Sequence, residues 1–207
     1  MRSLVLLAAA ALALACQTTK PPRWVDATTP RDSKSFRLDL PQGWMRANQE
    51  ATVVATRDGP MLQVITVERR QVGKPLRHTK KTVIAGMMPQ EAAEVIADDL
   101  VSNPVLKGLL VVENAPATVG GKAGFRILAT FKDGDGLKYK RVVYGVVEAP
   151  WFYQLVYTAP ERHYFASDLP AFETVAASFR PGSEPAPPEP PPSEPATTDA
   201  SNDVSPN

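Results

Sequence analysis

Two histidines, one cysteine, a short Ser/His/Asp run and two glycine-rich turns are the places where this 207-residue chain could do chemistry. His78 and His163 stand far apart, and no H-E-x-x-H or C-x-x-C spacing joins them to further ligands, so no metal is expected. His163-Tyr164-Phe165-Ala166-Ser167-Asp168 contains all three members of a hydrolase triad. Consecutive residues cannot present one, however, because its members converge from separate elements. Ser167 or Asp168 is instead expected to cap a helix. No G-x-S-x-G elbow occurs. Asp133-Gly134-Asp135-Gly136 begins like a calcium loop but lacks the glutamate that would close the coordination sphere, and it reads as a hairpin turn. Gly120-Gly121-Lys122 lacks the upstream glycine and the following Ser or Thr of a phosphate-cradling loop, and it marks a tight turn. The expectation is a chain without catalytic residues, metal or cofactor: not an enzyme.

Cys16 is the remaining reactive group, and it is the only cysteine, so it serves no internal disulfide. Arg2 supplies a positive start, and Leu4 to Ala15 is an apolar run of about a dozen residues, the length of a signal-peptide core. A membrane-spanning helix needs roughly 20 such residues. Ala13-Leu14-Ala15-Cys16 resembles the lipobox of bacterial lipoproteins, with leucines at Leu12 and Leu14 flanking the place where that family usually has one. The resemblance implies acylation of Cys16, which becomes the new N-terminus. The same letters also fit ordinary A-x-A cleavage, which would release a soluble periplasmic protein; the sole cysteine standing where acylation requires it favours the lipid. Two or more acyl chains hold a protein to a bilayer at about 0.8 kcal/mol per buried methylene. Gln17 stands where the resemblance would put aspartate in inner-membrane lipoproteins, so the expected location is the outer membrane, facing the periplasm.

The formal charge of +1 is unevenly spread, because Glu184, Glu189, Glu194, Asp199 and Asp203 follow Arg180 with no Lys or Arg among them. The rest is mildly basic, but its cations are interspersed with acids, so no nucleic-acid footprint is expected. Composition divides the chain into a signal peptide (1–15), a Thr/Pro/Lys-rich tether (16–35), a folded body (36–180) and a Pro-rich acidic tail (181–207) that cannot bury enough apolar surface to order itself.

Within the body, Phe36 to Leu40 alternates and ends in the turn Pro41-Gln42-Gly43-Trp44. Ala51 to Thr56 and Met61 to Arg69 are β-rich runs joined by Arg57-Asp58-Gly59-Pro60, which completes a meander. Pro89 and Glu91 open a helix of about 13 residues carrying Ala92, Ala93, Val95, Ile96 and Leu100. Leu109 to Glu113, Gly124 to Lys132, Leu137 to Val147 and Trp151 to Thr158 form a second meander, with Phe125, Ile127, Ala129 and Phe131 on one buried face. A closing helix carries Leu169, Phe172, Val175 and Ala176. The fold class expected is α+β: an antiparallel sheet of about six or seven strands with helices packed on it.

Phe36-Arg37-Leu38-Asp39-Leu40-Pro41-Gln42-Gly43-Trp44, Gly120-Gly121-Lys122-Ala123-Gly124 and Ser178-Phe179-Arg180, in this order of elements, resemble the PsbP/Mog1/DcrB-like superfamily over nearly all of residues 36 to 180. That resemblance implies an α/β/α sandwich and a non-catalytic scaffold, with no family active site to carry over.

Trp151, Tyr153 and Tyr157 share one face of the last strand, and Phe152 and Val156 take the other. Either the strand is covered on both faces, or the aromatic face is open as a groove. With Trp44, these three residues are the candidate binding surface. The functional expectation is a membrane-anchored module that binds or helps assemble a protein partner in the envelope. The alternatives are a carrier of a small apolar ligand, an enzyme of unrecognised type, or a role carried by the tail.

Overall fold

The computed structural model describes residues 23–29, 33–47 and 52–182. Cys16, the signal-peptide segment, most of the expected tether and nearly all of the Pro-rich tail lie outside the described residues. The elements are β1 (Trp24–Asp26), β2 (Phe36–Arg37), β3 (Met45–Ala47), β4 (Thr52–Thr56), β5 (Val64–Gln71), α1 (Pro89–Val101), β6 (Lys107–Val119), β7 (Lys122–Lys132), β8 (Lys138–Glu148), β9 (Trp151–Pro160), α2 (Tyr164–Ser178) and β10 (Arg180–Pro181).

An eight-stranded antiparallel sheet runs β1-β3-β4-β5-β9-β8-β7-β6, and β2 pairs with β10 apart from it. The second meander is present as expected, β6-β7-β8-β9; the first is β3-β4-β5, with Met45–Ala47 in the place expected for Phe36–Leu40, which lies outside this sheet, and the β5–β9 pairing joins the two. Helix α1 lies over β6, β7 and β8, and α2 packs against β9, β8 and β6. The helices take opposite faces. Ala92, Ala93 and Ile96 meet Phe125, Ile127, Val143 and Phe152 on one side, while Phe172, Val175 and Ala176 meet Val142, Val146, Leu155 and Tyr157 on the other. The result is an α/β/α sandwich.

The buried face read from the period of two in β7 holds: Phe125, Ile127, Ala129 and Phe131 are all buried. Helix α1 starts where Pro89 and Glu91 place it, with the Met88 N–H donating to Glu91 Oε2 at 2.9 Å. Gly120 and Gly121 form the two-residue hairpin between β6 and β7, at φ 56° and 83°. A Cβ at Gly120 would collide with the Phe179 carbonyl oxygen, so this turn is fixed by tertiary contact as well as by φ.

Several boundaries differ from expectation. Part of the expected tether belongs to the sheet, because β1 (Trp24–Asp26) pairs with β3 and Ala27 is buried. This strand, together with Met45–Ala47, brings the sheet to eight. Only Phe36 and Arg37 of the first alternating run are paired; Leu38 and Leu40 pack half-buried against the α2-side core. Helix α2 is not capped by Ser167 or Asp168. It starts at Tyr164, after a tight turn at His163 (φ 68°, ψ −63°) in which the Tyr164 N–H reaches the Arg162 carbonyl at 2.9 Å. Asp168 is thereby drawn inside the helix and buried. Among the described residues no helix is long and apolar enough to cross a membrane.

Candidate functional site

The aromatic quartet expected as a binding surface is core. Trp44, Tyr153 and Tyr157 are at most 2% exposed and Trp151 is 8% exposed. Tyr153 meets Phe179 and Phe36 edge-on, with ring centroids 5.2 Å and 6.3 Å away, and Tyr157 lies between Phe165 and Phe172, each 5.5 Å away. The Tyr157 hydroxyl donates to the Tyr164 carbonyl at 2.9 Å, and the Arg69 guanidinium lies over the Trp151 ring. On the opposite face Phe152 stacks on Phe125. Strand β9 is therefore a central strand covered on both sides, and no groove opens at these residues. Trp44 follows Gly43, whose φ of 79° turns the chain so that the indole enters the α2-side core.

The residues weighed for chemistry are likewise held in structural contacts. His78 is fixed through its backbone N–H on Asp99 Oδ1, at the edge of α1. Asp168 accepts Arg57 Nη1 at 2.7 Å and Gln63 Nε2 at 3.1 Å, which staples the β4–β5 hairpin to the start of α2. It does not face His163 or Ser167 as a triad would require. Asp133 Oδ1 accepts the N–H groups of Asp135 and Leu137, an internally closed turn in place of a cation loop. Among the described residues no group of three His, Cys, Asp or Glu side chains could hold a metal.

Two surface features remain. The first is a cleft of about 640 Å³ between residues 27–29, the 36–40 segment and the end of α2. Phe36, Leu38, Leu40 and Val53 contribute apolar walls, and Thr28, Arg37, Asp39 and Arg180 contribute polar ones. The Asp39 N–H is tied to Ser178 Oγ at 2.9 Å, which fixes one wall to α2.

The second feature is the edge of the sheet at β6, which among the described residues pairs with β7 alone. Leu110 is 67% exposed and Val112 is 60% exposed, with Val111 between them and Val105 just upstream also exposed. The register with β7 breaks between Val111 and Glu113, so Val112 is an extra residue and the inward/outward alternation is lost at this point. A two-residue hairpin is closed by a pair that exchanges both backbone hydrogen bonds, here Val119 and Lys122. Counting back, Thr118, Pro116 and Asn114 turn their backbone groups outward, and Pro116 has no N–H to offer. The stretch able to pair with another strand therefore lies on the N-terminal side of Pro116, where the exposed aliphatic side chains are. Sequence reading identified a strand at Leu109–Glu113 but not its edge position; Pro116 was the available signal, because proline inside a strand is confined to edges.

Beside this edge, Arg126 bridges Glu113 at 2.9 Å, and the Tyr144 hydroxyl donates to Glu173 of α2. Burial, and then the Glu173 contact, push the Tyr144 phenol up to about 12. Burial also raises Tyr157. The neutral phenols therefore stabilise the fold fully below the free-tyrosine value of about 10, and this contribution is lost as pH rises through the folded-state value. Urea unfolding followed against pH should show stability falling from about pH 10 towards about pH 12, with a shallower fall in Tyr144→Phe.

With this geometry in hand, solved structures place the architecture. LpqN, a Mycobacterium tuberculosis protein involved in cell envelope biogenesis, superposes with a TM-score of 0.51 at 13% identity, over 80% of this chain and 87% of LpqN. The chain has the PsbP/Mog1-like fold. Cyanobacterial PsbP (CyanoP) from Synechocystis sp. PCC 6803 aligns at a TM-score of 0.49 and 12% identity, over 80% of this chain and 96% of its own. The Saccharomyces cerevisiae Ran-binding protein Mog1p aligns at 0.49 and 11% identity, over 77% of this chain and 94% of its own. No family model and no curated protein sequence matches the chain. Identities this low show the fold alone, so the function of the PsbP/Mog1-like body is argued from its own surfaces.

Proposed function

We propose that this chain is an envelope lipoprotein, held to the outer membrane by acylated Cys16, whose PsbP/Mog1-like body is a non-catalytic docking module for a protein partner. The observation that carries the reading is the β6 edge. An unpaired edge strand with adjacent exposed aliphatic side chains is a template for another strand. Pro116 and the bulge at Val112 partly blunt this edge, and the aliphatic stretch N-terminal to Pro116 is what remains for strand addition, the way recognition modules use an edge. Here main-chain hydrogen bonds at Leu110–Asn114 supply affinity, and the Leu110 and Val112 side chains supply selectivity. The compartment is inferred from the apolar run ending at Cys16.

The test is capture of a partner from detergent-solubilised envelopes by the acylated chain, compared with the double variant Leu110→Lys/Val112→Lys. Exposed substitutions of this kind change stability by about 0.5 kcal/mol or less, so the melting temperature should stay where it is while the captured partner is lost. Equal recovery of the same partner by both forms would refute the docking edge. A clickable fatty acid that labels the wild type but not Cys16→Ser tests the anchor separately.

The 640 Å³ cleft favours a second reading, a carrier of a small ligand, since its size falls within the usual range for ligand pockets. Native mass spectrometry of the purified chain would show a co-purified small molecule under this reading and the bare polypeptide mass under the first.

A further inference from the structure

We propose that the Trp24/Met45 corner of the sheet rests in the headgroup layer of the membrane that carries the anchor, so that the sheet stands with its β1 end at the lipid surface. The inference rests on the acylation of Cys16 and adds to it a second, non-covalent contact with the bilayer. Trp24 is 37% exposed and Met45 is 39% exposed. They share a face, because β1 and β3 pair Trp24 with Ala47 and Asp26 with Met45. Arg46 pairs with Ala55, which belongs to the α2-side core, so Trp24 and Met45 turn to the other side of the sheet. On that side α1 lies over β6, β7 and β8, and among the described residues no helix covers the β1–β3 corner.

Chain length decides the occupant. Trp24 follows Cys16 by only eight residues. Fully extended, that length spans at most about 29 Å. The β6 edge lies seven strand spacings further across the sheet, about 33 Å away. An acylated Cys16 therefore holds the β1 edge within about 29 Å of the bilayer and places no such restraint on the β6 edge. Tryptophan favours the headgroup region, where an amphipathic ring finds apolar contact and a hydrogen-bond acceptor together. Exposed Arg23 beside it suits anionic headgroups. Asp26, the acid on the same face, has Oδ1 bonded to the Thr28 N–H at 2.8 Å and to the Thr28 hydroxyl at 2.5 Å. A carboxylate satisfied in this way tolerates headgroup depth but not hydrocarbon, which limits how far the corner sinks.

The chain carries its own probe, because of its three tryptophans Trp44 and Trp151 are buried and Trp24 is not. The acylated full mature chain is reconstituted in vesicles of phosphatidylethanolamine and phosphatidylglycerol with brominated acyl chains. Mass spectrometry of its N-terminal peptide is done on the same preparation. The expected result is a blue-shifted Trp24 emission that brominated lipid quenches, with neither effect in Trp24→Phe. Quenching in the Cys16→Ser chain at high lipid concentration would further show that the corner itself has affinity for the surface. An acylated chain whose Trp24 emission stays unshifted and unquenched overturns this inference and leaves the anchor standing. An unacylated Cys16 in the mature protein overturns both.

Discussion

Replacing Trp44 by alanine is expected to destabilise the body by about 3–5 kcal/mol, the cost of emptying a large aromatic site in a packed core. The indole is 2% exposed among Phe36, Val53, Tyr153 and their neighbours, and the Trp44 carbonyl accepts the Ala27 N–H at 2.8 Å, so the same residue ties the β1 segment to the sheet. Local collapse is restricted, because Gly43 at φ 79° and the β3–β4 pairing fix the backbone on both sides. Urea unfolding should show a midpoint far below that of the wild type. Partner capture per folded molecule, measured well below the new midpoint, should be unchanged. Loss of capture without loss of stability would return Trp44 to the binding surface.

The second large effect is an asymmetry within one ion pair. Asp168 has a side-chain exposure of 3% and Arg57 one of 38%, so removing the two partners does not leave equivalent orphans. Arg57→Met strands a buried carboxylate with Gln63 Nε2 as its remaining side-chain partner at 3.1 Å. Breaking a buried pair from the exposed side in this way should cost about 3 kcal/mol or more. Asp168→Asn frees an arginine that reaches water and still holds Asp58 at 3.1 Å, and should cost about 1–2 kcal/mol. The double variant Arg57→Met/Asp168→Leu should recover most of the loss, because an apolar pair needs no counter-charge. Equal costs for the two single variants, by thermal or urea unfolding, would show that Asp168 is not sealed from solvent in the native state.

What could be read from the sequence was what repeats locally. The period of two in β7 placed Phe125, Ile127, Ala129 and Phe131 inside, and the Pro89/Glu91 pair placed the start of α1. Elements of two or three residues such as β1, β2, β3 and β10 carry no period to detect. They exist because a neighbour supplies hydrogen bonds, as β3 does for Trp24–Asp26. Ser167 and Asp168 looked like caps because of their side-chain types, but the turn at His163 moved the helix start upstream and turned Asp168 towards Arg57. Periodicity likewise separated the two faces of β9 without saying what covers each. That depends on where α1, α2 and residues 36–44 pack, contacts between distant parts of the chain. The same limit bears on the β6 edge: Pro116 marks an edge strand, but that Leu110, Val111 and Val112 lie exposed follows from the order of strands across the sheet.

The docking edge is tested most directly by photo-crosslinking in living cells, with a benzophenone amino acid at Val112 and, as a comparison, at Ile84, which is also exposed but lies outside β6. The account predicts one discrete envelope-protein adduct at position 112, absent at position 84 and abolished when Leu110→Lys is added. An adduct at Ile84 with none at Val112, or an adduct at Val112 indifferent to Leu110→Lys, would contradict it.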